Sequence, residues 1–155
     1  MAGRDHVFRA TTIIPRSIDE VFPFFAAAEN LEVITPPELG FEVLTPAPIV
    51  IAEGTIIDYR LRLFGLPFRW RTRIARWDPP HQFVDEQLKG PYRKWVHTHT
   101  FREVDGGTEM TDEVRYRLPL PPFGDIGYPV VRLQVKRIFA YRRRQLDQLL
   151  APAVG

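Results

Sequence analysis

A change in hydrophobic periodicity constrains the fold of this chain more than any other feature of its sequence. Polar and apolar residues alternate with a period of two from 41 to 118, and the period becomes helical after Pro122. The alternating region predicts six strands, which cover 41–44, 55–64, 68–77, 82–88, 94–103 and 108–118. One long helix is predicted to follow, from about Asp125 or Pro129 to Leu150.

The region before residue 41 is predicted to contain one strand and two short helices. The strand covers 5–14 and ends at Pro15. Ser17 and Glu20 have the spacing of a capping box, which predicts the start of the first helix, and the second helix is predicted over 27–34. Because the strands are segregated from the helices, the fold class is α+β, with one antiparallel sheet packed on a helical layer.

Composition limits the classes of function. The 155 residues predict a single domain over 1–155, and the absence of cysteine excludes disulfide frameworks, thiolate metal sites and cysteine nucleophiles. No apolar run approaches the roughly 18 residues of a membrane helix. Charged residues in 1–8 are atypical of a signal peptide, so we predict a cytoplasmic location. Neither a phosphate-binding glycine loop nor a dinucleotide fingerprint occurs, and we predict no cofactor.

The alternation in the last strand indicates which strand faces point inward. Charged and polar residues at 109, 111, 113, 115 and 117 must face water, so Asp112 faces the interior. A turn at 105–106 places His99 opposite Asp112, and a turn near Gly90 is compatible with Gln87 opposite Trp95 and Asp85 opposite His97. We therefore expect His97 beside Asp85 and His99 beside Asp112.

These inward residues form the candidate binding site, an aromatic and aliphatic wall with a compact polar group. Arg142 joins them because its helical phase places it in the middle of the apolar stripe of the last helix. The predicted ligand-binding residues are Tyr59, Trp70, Thr72, Asp85, Gln87, Trp95, His97, His99, Asp112, Tyr116 and Arg142.

The polar group has four interpretations from the residues alone. His97, His99, Asp85 and Asp112 can satisfy one another and fix the strand register, or they can orient a ligand inside an apolar pocket. As catalytic candidates, the same four residues can supply acid–base chemistry near neutral pH. Two histidines and two carboxylates can also hold an ion such as Zn²⁺, but we predict no metal, since each histidine has an aspartate as its neighbour.

The outward face of the sheet is rich in arginine. The pattern predicts Arg60 and Arg62 across from Arg71 and Arg69, with Asp58 opposite Arg73. This is either a solvated strand face or a docking patch for an anionic partner. No aromatic platform lies among these arginines and the net charge is only +2, so we predict no nucleic-acid binding.

The residues also resemble a known superfamily, and the most specific part is 83–101. The matching positions are Leu31, Thr35, Pro36, Pro37, Gly54, Tyr59, Phe83, Asp85, Gln87, Gly90, Pro91, Tyr92, Trp95, His97, His99, Phe101, Asp112, Val114, Tyr116, Leu118, Pro119, Phe139, Tyr141 and Arg142. This pattern resembles the SRPBCC superfamily, which includes the START, Bet v 1 and polyketide cyclase proteins. It is most similar to the small SRPBCC domain sometimes fused to sugar-nucleotide-epimerase-like proteins.

The resemblance implies a helix-grip fold, in which a curved antiparallel sheet wraps around a long C-terminal helix. It implies a cavity for a largely apolar small molecule or lipid, and it implies no particular reaction. Ligand binding is therefore the expected function. The alternatives are a cofactor-independent enzyme of cyclase or lyase type that uses a cavity His–Asp pair, and a docking protein for an anionic partner.

Overall fold

The computed structural model describes residues 5–119 and 126–150, and in them a seven-stranded antiparallel sheet packs against a long helix. The strands are β1 (Asp5–Ile14), β2 (Glu42–Val43), β3 (Ile56–Leu63), β4 (Leu66–Asp78), β5 (Gln82–Lys89), β6 (Lys94–Val104) and β7 (Gly107–Arg117). The helices are α1 (Ile18–Ala26) and α2 (Tyr128–Leu149), and two 3-10 turns cover Ala28–Leu31 and Pro37–Leu39. The α+β fold class and the order of elements predicted from the sequence are confirmed.

The sheet order is β1-β7-β6-β5-β4-β3-β2, so the first strand lies beside the last. Strands β3, β4 and β7 alternate between more buried and more exposed residues, as the period of two predicts. Register irregularities near Arg71 and between Ile74 and Arg76 interrupt the β4–β5 pairing, and such bulges bend a strand. The inner face of the sheet packs against α2, which buries Val135, Phe139, Arg142 and Leu146.

The hairpin between β3 and β4 has a different register from the predicted one. Phe64 and Gly65 both have positive φ, which makes a two-residue turn and places Leu63 opposite Leu66. Asp58 therefore pairs with Arg71, and Arg60 with Arg69, two residues away from the predicted partners. A shift of two preserves the faces, so every side chain still lies on its predicted side.

The corrected register places acids beside the outer arginines. Arg71 Nε donates to Asp58 Oδ1 at 2.9 Å, and ion pairs also join Arg60 to Glu42 and Arg73 to Glu86. Much of the predicted like-charge cluster is thus neutralised on the surface of the sheet.

Two local predictions in the helical regions are wrong. Ser17 is the N-cap of α1, but its side chain makes no capping hydrogen bond, and Glu20 pairs with Arg16 instead. The second helix predicted over 27–34 is only the 3-10 turn Ala28–Leu31. The start of α2 at Tyr128 is close to the predicted Pro129, whereas Asp125 lies outside the described residues.

In the described parts of the chain, no helix is long and apolar enough to cross a membrane.

Candidate functional site

A cavity of about 130 Å³ lies between the inner face of the sheet and α2. Strands β3 to β6 provide most of its wall through Tyr59, Leu61, Leu63, Trp70, Thr72, Asp85, Trp95, His97 and His99. The segment between α1 and β2 covers one side with Leu31, Thr35, Leu39 and Phe41, and α2 covers the other with Ile138, Phe139 and Arg142. The wall is mostly apolar, and its titratable groups are concentrated where β5 and β6 meet α2.

The backbone register at the polar end is the predicted one, but the side chains pair differently. His97 lies opposite Asp85, and His99 lies opposite Asp112. The hydrogen bonds run diagonally, from His97 Nε2 to Asp112 Oδ1 at 2.7 Å and from His99 Nε2 to Asp85 Oδ2 at 2.6 Å. The predicted hydrogen-bond partners are therefore wrong, although His99 still lies beside Asp112, with its Nδ1 3.5 Å from Asp112 Oδ1.

Ring stacking accounts for the diagonal pairing. The rings of His97 and His99 stack with centroids 3.7 Å apart, and His99 also stacks on Phe83 at 4.0 Å. Rings stacked in this way lean along the strand, so each reaches the carboxylate one diagonal step away rather than the one directly opposite. The histidine pair thus connects β5 to β7 across β6.

The pairs fix the charge at this end of the cavity. Burial raises the pKa of Asp112, but the hydrogen bond and charge of His97 and the charge of Arg142 outweigh it and hold the pKa at about 2. Burial also opposes ionisation of Asp85, and the hydrogen bond from His99 outweighs it, so the pKa of Asp85 is lowered. Burial and the neighbouring His97 lower the pKa of His99 to about 4.

His99 is therefore a neutral imidazole at pH 7, with one nitrogen free to interact. Its Nε2–H donates to Asp85, which leaves a lone pair on Nδ1. His99 Nδ1 is buried and has no hydrogen-bond partner in the described part of the chain, and it lies 3.5 Å from Asp112 Oδ1. An oriented imidazole with a free acceptor can bind a donor group or take up a proton.

Arg142 lies where its helical phase predicts, on the packed face of α2. The residue is 9% exposed, and its guanidinium lies over the ring of Phe139 at 4.9 Å. Nη1 is 3.6 Å from Asp112 Oδ1, which is an ion pair but too long for a hydrogen bond. Nη1 and Nε are both buried and have no hydrogen-bond partner among the residues described.

Three predicted binding residues lie outside the cavity wall. Gln87 braces the turn after β5, where its Nε2 donates to the carbonyl of Tyr92 at 2.6 Å and its Oε1 accepts from the amide of Tyr92 at 3.1 Å. Tyr116 is buried in the aromatic core against the rings of Tyr92 and Trp95. Asp112 lies behind His97 and supports the site instead of lining it.

Sequence reasoning missed the covering residues. Ile138 and Phe139 lie one turn before Arg142 in the apolar stripe that the helical period predicts, so the sequence identified them as packing residues but not as residues of the cavity wall. Leu39 and Phe41 lie in an irregular segment, where periodicity gives no direction. Leu31 and Thr35 belong to the superfamily pattern and could have been found only through it.

The same residues could hold a metal ion. Donor atoms of Asp85, His97 and His99 all lie within 4.8 Å of one another, and this set of two nitrogens and one oxygen suits Zn²⁺. Both Nε2 atoms already donate to carboxylates, so an ion bound through them would have to replace these hydrogen bonds. That the site works without metal stays a prediction.

Comparison with known proteins places the chain in a family. Residues 30–150 match the family described as a domain of unknown function, DUF8410, and no curated protein sequence matches significantly. Among solved structures, the protein TTHA0849 from Thermus thermophilus has a TM-score of 0.74 at 19% identity, covering 92% of this chain and 95% of that chain. Major latex-like protein 151 from Panax ginseng has a TM-score of 0.67 at 12% identity, covering 97% and 100%. Ara h 8.0201 has a TM-score of 0.62 at 16% identity, covering 94% and 99%.

These identities are low, so the likeness concerns the fold. The ginseng protein and Ara h 8.0201 are Bet v 1-like, and the helix-grip fold that the SRPBCC resemblance implies is confirmed. The narrower resemblance to an epimerase-associated domain stays a prediction. The chain belongs to the DUF8410 family, and its fold is the Bet v 1-like helix-grip fold.

Proposed function

We propose that this protein binds a compact, largely apolar molecule with one polar end in the cavity between the sheet and α2. The observation that carries the proposal is the buried Nδ1 of His99, which has no hydrogen-bond partner in the described chain. A buried polar atom left unpaired costs roughly 1–3 kcal/mol. A ligand that offers a hydrogen-bond donor would remove this cost, while its apolar part would lie against Trp70 and Trp95.

The volume of the cavity limits the size of the ligand. An apolar cavity of roughly 150 Å³ accepts benzene, whereas drug-sized ligands occupy roughly 300 Å³ or more. The cavity of about 130 Å³ therefore fits a single ring or a short branched chain. We propose such a compact molecule instead of the lipid that the superfamily resemblance also allows.

Charge limits the polar group of the ligand. Asp85 and Asp112 are both ionised, so an anion placed beside them at this end of the cavity would meet two like charges. A hydroxyl group suits it better, because its hydrogen can be donated to His99 Nδ1 without any change in charge. Phenol is the simplest probe with both features.

Tryptophan fluorescence provides the test. Trp70 and Trp95 line the cavity, whereas Trp77 packs against Phe22 and Phe83 outside it. We expect phenol to quench this emission and to bind about fivefold to tenfold more tightly than toluene, which has the same ring without the hydroxyl. Native mass spectrometry of protein purified without denaturation should also detect a retained molecule of this size.

A matched pair of variants locates the hydrogen bond. His99→Leu should abolish the preference for phenol over toluene, whereas His81→Leu, the same change at an exposed turn, should preserve it. Unfolding curves of both variants establish that they are folded. If the wild-type protein bound neither ring at any soluble concentration and retained no molecule, the proposal would be wrong.

One observation favours a second candidate function, acid–base catalysis. His99 lines the apolar cavity, its Nε2 is held by Asp85 and its Nδ1 has no hydrogen-bond partner in the described chain, and a carboxylate-oriented imidazole of this kind can act as a general base. Phenylacetone, a ring with weakly acidic C–H bonds, is a suitable probe in D₂O. A catalytic His99 would exchange those protons for deuterium in the wild type, and His99→Gln would abolish the exchange while still binding the ketone.

The docking alternative has less support. Arg60, Arg71 and Arg73 all pair with acids on the same sheet face, so few of these charges are available to a partner. This alternative would be restored if the protein bound anionic vesicles and charge reversal at Arg60 and Arg71 abolished that binding.

A further inference from the structure

A second concave site lies on the other side of Arg142 from the cavity. It is a groove of about 280 Å³ between β1 and α2. Residues that matter for its chemistry are Ala10, Thr12, Lys136, Ala140, Arg142 and Arg143. The two alanines both line the groove, one on the strand and one on the helix, and their small side chains leave it open.

Arg142 and Phe139 form the wall that separates the groove from the cavity, since both residues line both spaces. Arg142 is 9% exposed, and its Nε and Nη1 have no hydrogen-bond partner within the described residues. A buried guanidinium with two unused donors is a strong site for an oxyanion, because charge-assisted hydrogen bonds are about twice as strong as neutral ones.

The charges around the groove also favour an anion. Lys136 and Arg143 line it and form no ion pair with any residue that the structure describes. Asp112 is the one acid among the lining residues, and its Oδ1 already accepts from His97. The groove is therefore lined by three cationic side chains and by one carboxylate that is already hydrogen-bonded. At the histidine end of the cavity, in contrast, two carboxylates are close together.

We propose that the groove between β1 and α2 is an oxyanion-binding subsite that takes a carboxylate or phosphate group on Arg142, Lys136 and Arg143. Thr12 lies on the inward side of β1 and adds a hydroxyl to the same space. The oxyanion is either the charged end of a molecule whose apolar part fills the cavity or a separate small ion. The subsite goes beyond the proposed function, since Thr12, Lys136 and Arg143 line the groove and not the cavity.

Three probes separate these sources, with the full chain observed by ¹H–¹⁵N NMR at constant ionic strength. The probes are inorganic phosphate, 4-phenylbutyrate and the uncharged 4-phenyl-1-butanol. The amides of Ala10 and Thr12 report on the groove, and the indoles of Trp70 and Trp95 report on the cavity. We expect both anions to shift the groove amides and phenylbutyrate to bind about tenfold more tightly than the alcohol.

Variants identify the groups that bind the anion. Arg142→Met should weaken the binding of phenylbutyrate about tenfold and that of the alcohol less than about twofold, because the substitution removes the charge but keeps an apolar stem. Lys136→Gln and Arg143→Gln should each weaken the anions about threefold. Arg144→Gln removes the same charge from the same helix outside the groove and should change nothing. Should Arg142→Met fail to fold, the Lys136→Gln/Arg143→Gln double variant tests the same point with an expected loss of about tenfold.

The outcomes distinguish the subsite from the proposed function. If phosphate binds as tightly as phenylbutyrate, the ligand of the groove is a separate ion. If phenylbutyrate binds more tightly and also shifts the indole signals, the ligand is one molecule that occupies both the groove and the cavity. If phosphate moves the groove amides and neither ring compound moves the indoles, the subsite stands and the proposed function is wrong. If the alcohol moves the indoles and neither anion moves the groove amides, the proposed function stands and the subsite is wrong. An equal loss in Arg144→Gln and Lys136→Gln would reduce the effect to general charge and overturn the subsite.

Discussion

Each face of the sheet carries a pair between an aspartate and a basic side chain, and the two pairs lie in opposite environments. On the outer face, Asp58 and Arg71 pair at 2.9 Å with side chains 39% and 45% exposed. On the inner face, His97 and Asp112 pair at 2.7 Å with side chains 6% and 4% exposed. Exposed pairs contribute little because water screens them, whereas a buried charge depends on its partner for the interactions that water no longer supplies.

The environment of a charge on this sheet decides whether the charge indicates a function. Outer charges can exchange a protein partner for water at little cost, so their pattern is weakly informative. Inner charges are costly, and at this site the protein satisfies them only in part, since His99 and Arg142 keep unused polar atoms. A set of buried groups that the protein does not satisfy by itself is the better indication of a ligand.

Breaking the inner pair between His97 and Asp112 should destabilise the fold more than any other change proposed for this site. Asp112→Asn removes the negative charge that His97 and Arg142 share, and we expect the free energy of unfolding to fall by about 3–5 kcal/mol. Urea unfolding at pH 7 measures it. Asp58→Asn is the matched control, since it makes the same change opposite Arg71 on the outer face. Equal losses in the two variants would remove the distinction between the faces.

The next effect is a loss of stability in acid. Burial and His97 lower the pKa of His99 to about 4, so the unfolded chain, with a pKa of about 6.5, binds this proton more readily. The part of the free energy of unfolding that depends on a neutral His99 is therefore fully present above about pH 6.5. It is lost as the pH falls from about 6.5 to 4, and the loss is about 3 kcal/mol. For Asp112, whose pKa is lowered to about 2, a further loss follows as the pH falls from about 4 to 2.

Urea unfolding between pH 7.5 and 4 checks the histidine window. His99→Gln should flatten the dependence between pH 6.5 and 4, and the exposed His81→Gln should leave it unchanged. A wild-type protein that is equally stable at pH 7 and pH 5 would contradict a neutral, buried His99.

The residues that point to the inner face could mostly be predicted from the sequence, because a period of two determines which side of a sheet each residue faces. The alternation in β7 placed Asp112 inward, and turn positions gave the pairing of His99 with Asp112 across the ladder. Alternation alone does not determine which neighbour a side chain contacts. The diagonal bond from His97 to Asp112 depends on the lean of stacked rings, which no sequence period encodes.

Turn chemistry explains the other errors. The register of β3 and β4 depends on a turn with positive φ at Phe64, a residue that does not favour that conformation, so the sequence indicated the wrong turn position. Gln87 has the phase of a wall residue, yet the adjacent turn uses its amide to bind the backbone of Tyr92. Local hydrogen bonds of this kind overrule the pattern of alternation.

Arg142→Met should have a smaller effect than breaking the aspartate pair. Nε and Nη1 of the guanidinium make no hydrogen bond within the described chain, and methionine keeps an apolar stem against Phe139. We expect the free energy of unfolding to change by about 1 kcal/mol or less in either direction, measured by urea unfolding. Arg143→Met is the control on the same helix. A loss as large as that of Asp112→Asn would make Arg142 a structural partner of Asp112 and weaken its assignment to a ligand.

The smallest effect concerns salt, and it tests the comparison of the two faces most directly. A double-mutant cycle of Asp58→Asn and Arg71→Gln measures the coupling of an outer pair, and a cycle of Asp112→Asn and His97→Gln measures that of the inner pair. The screening length falls from about 10 Å at 0.1 M salt to about 3 Å at 1 M, and buried pairs are screened far less than exposed ones. The coupling free energy of the outer pair should therefore be small at about 0.1 M NaCl and disappear at about 1 M. That of the inner pair should be the same at both salt concentrations within experimental error. An inner coupling that salt removed as easily would mean that water reaches His97 and Asp112. Such access would satisfy the unpaired His99 nitrogen with solvent, and a ligand would then gain nothing by binding to it.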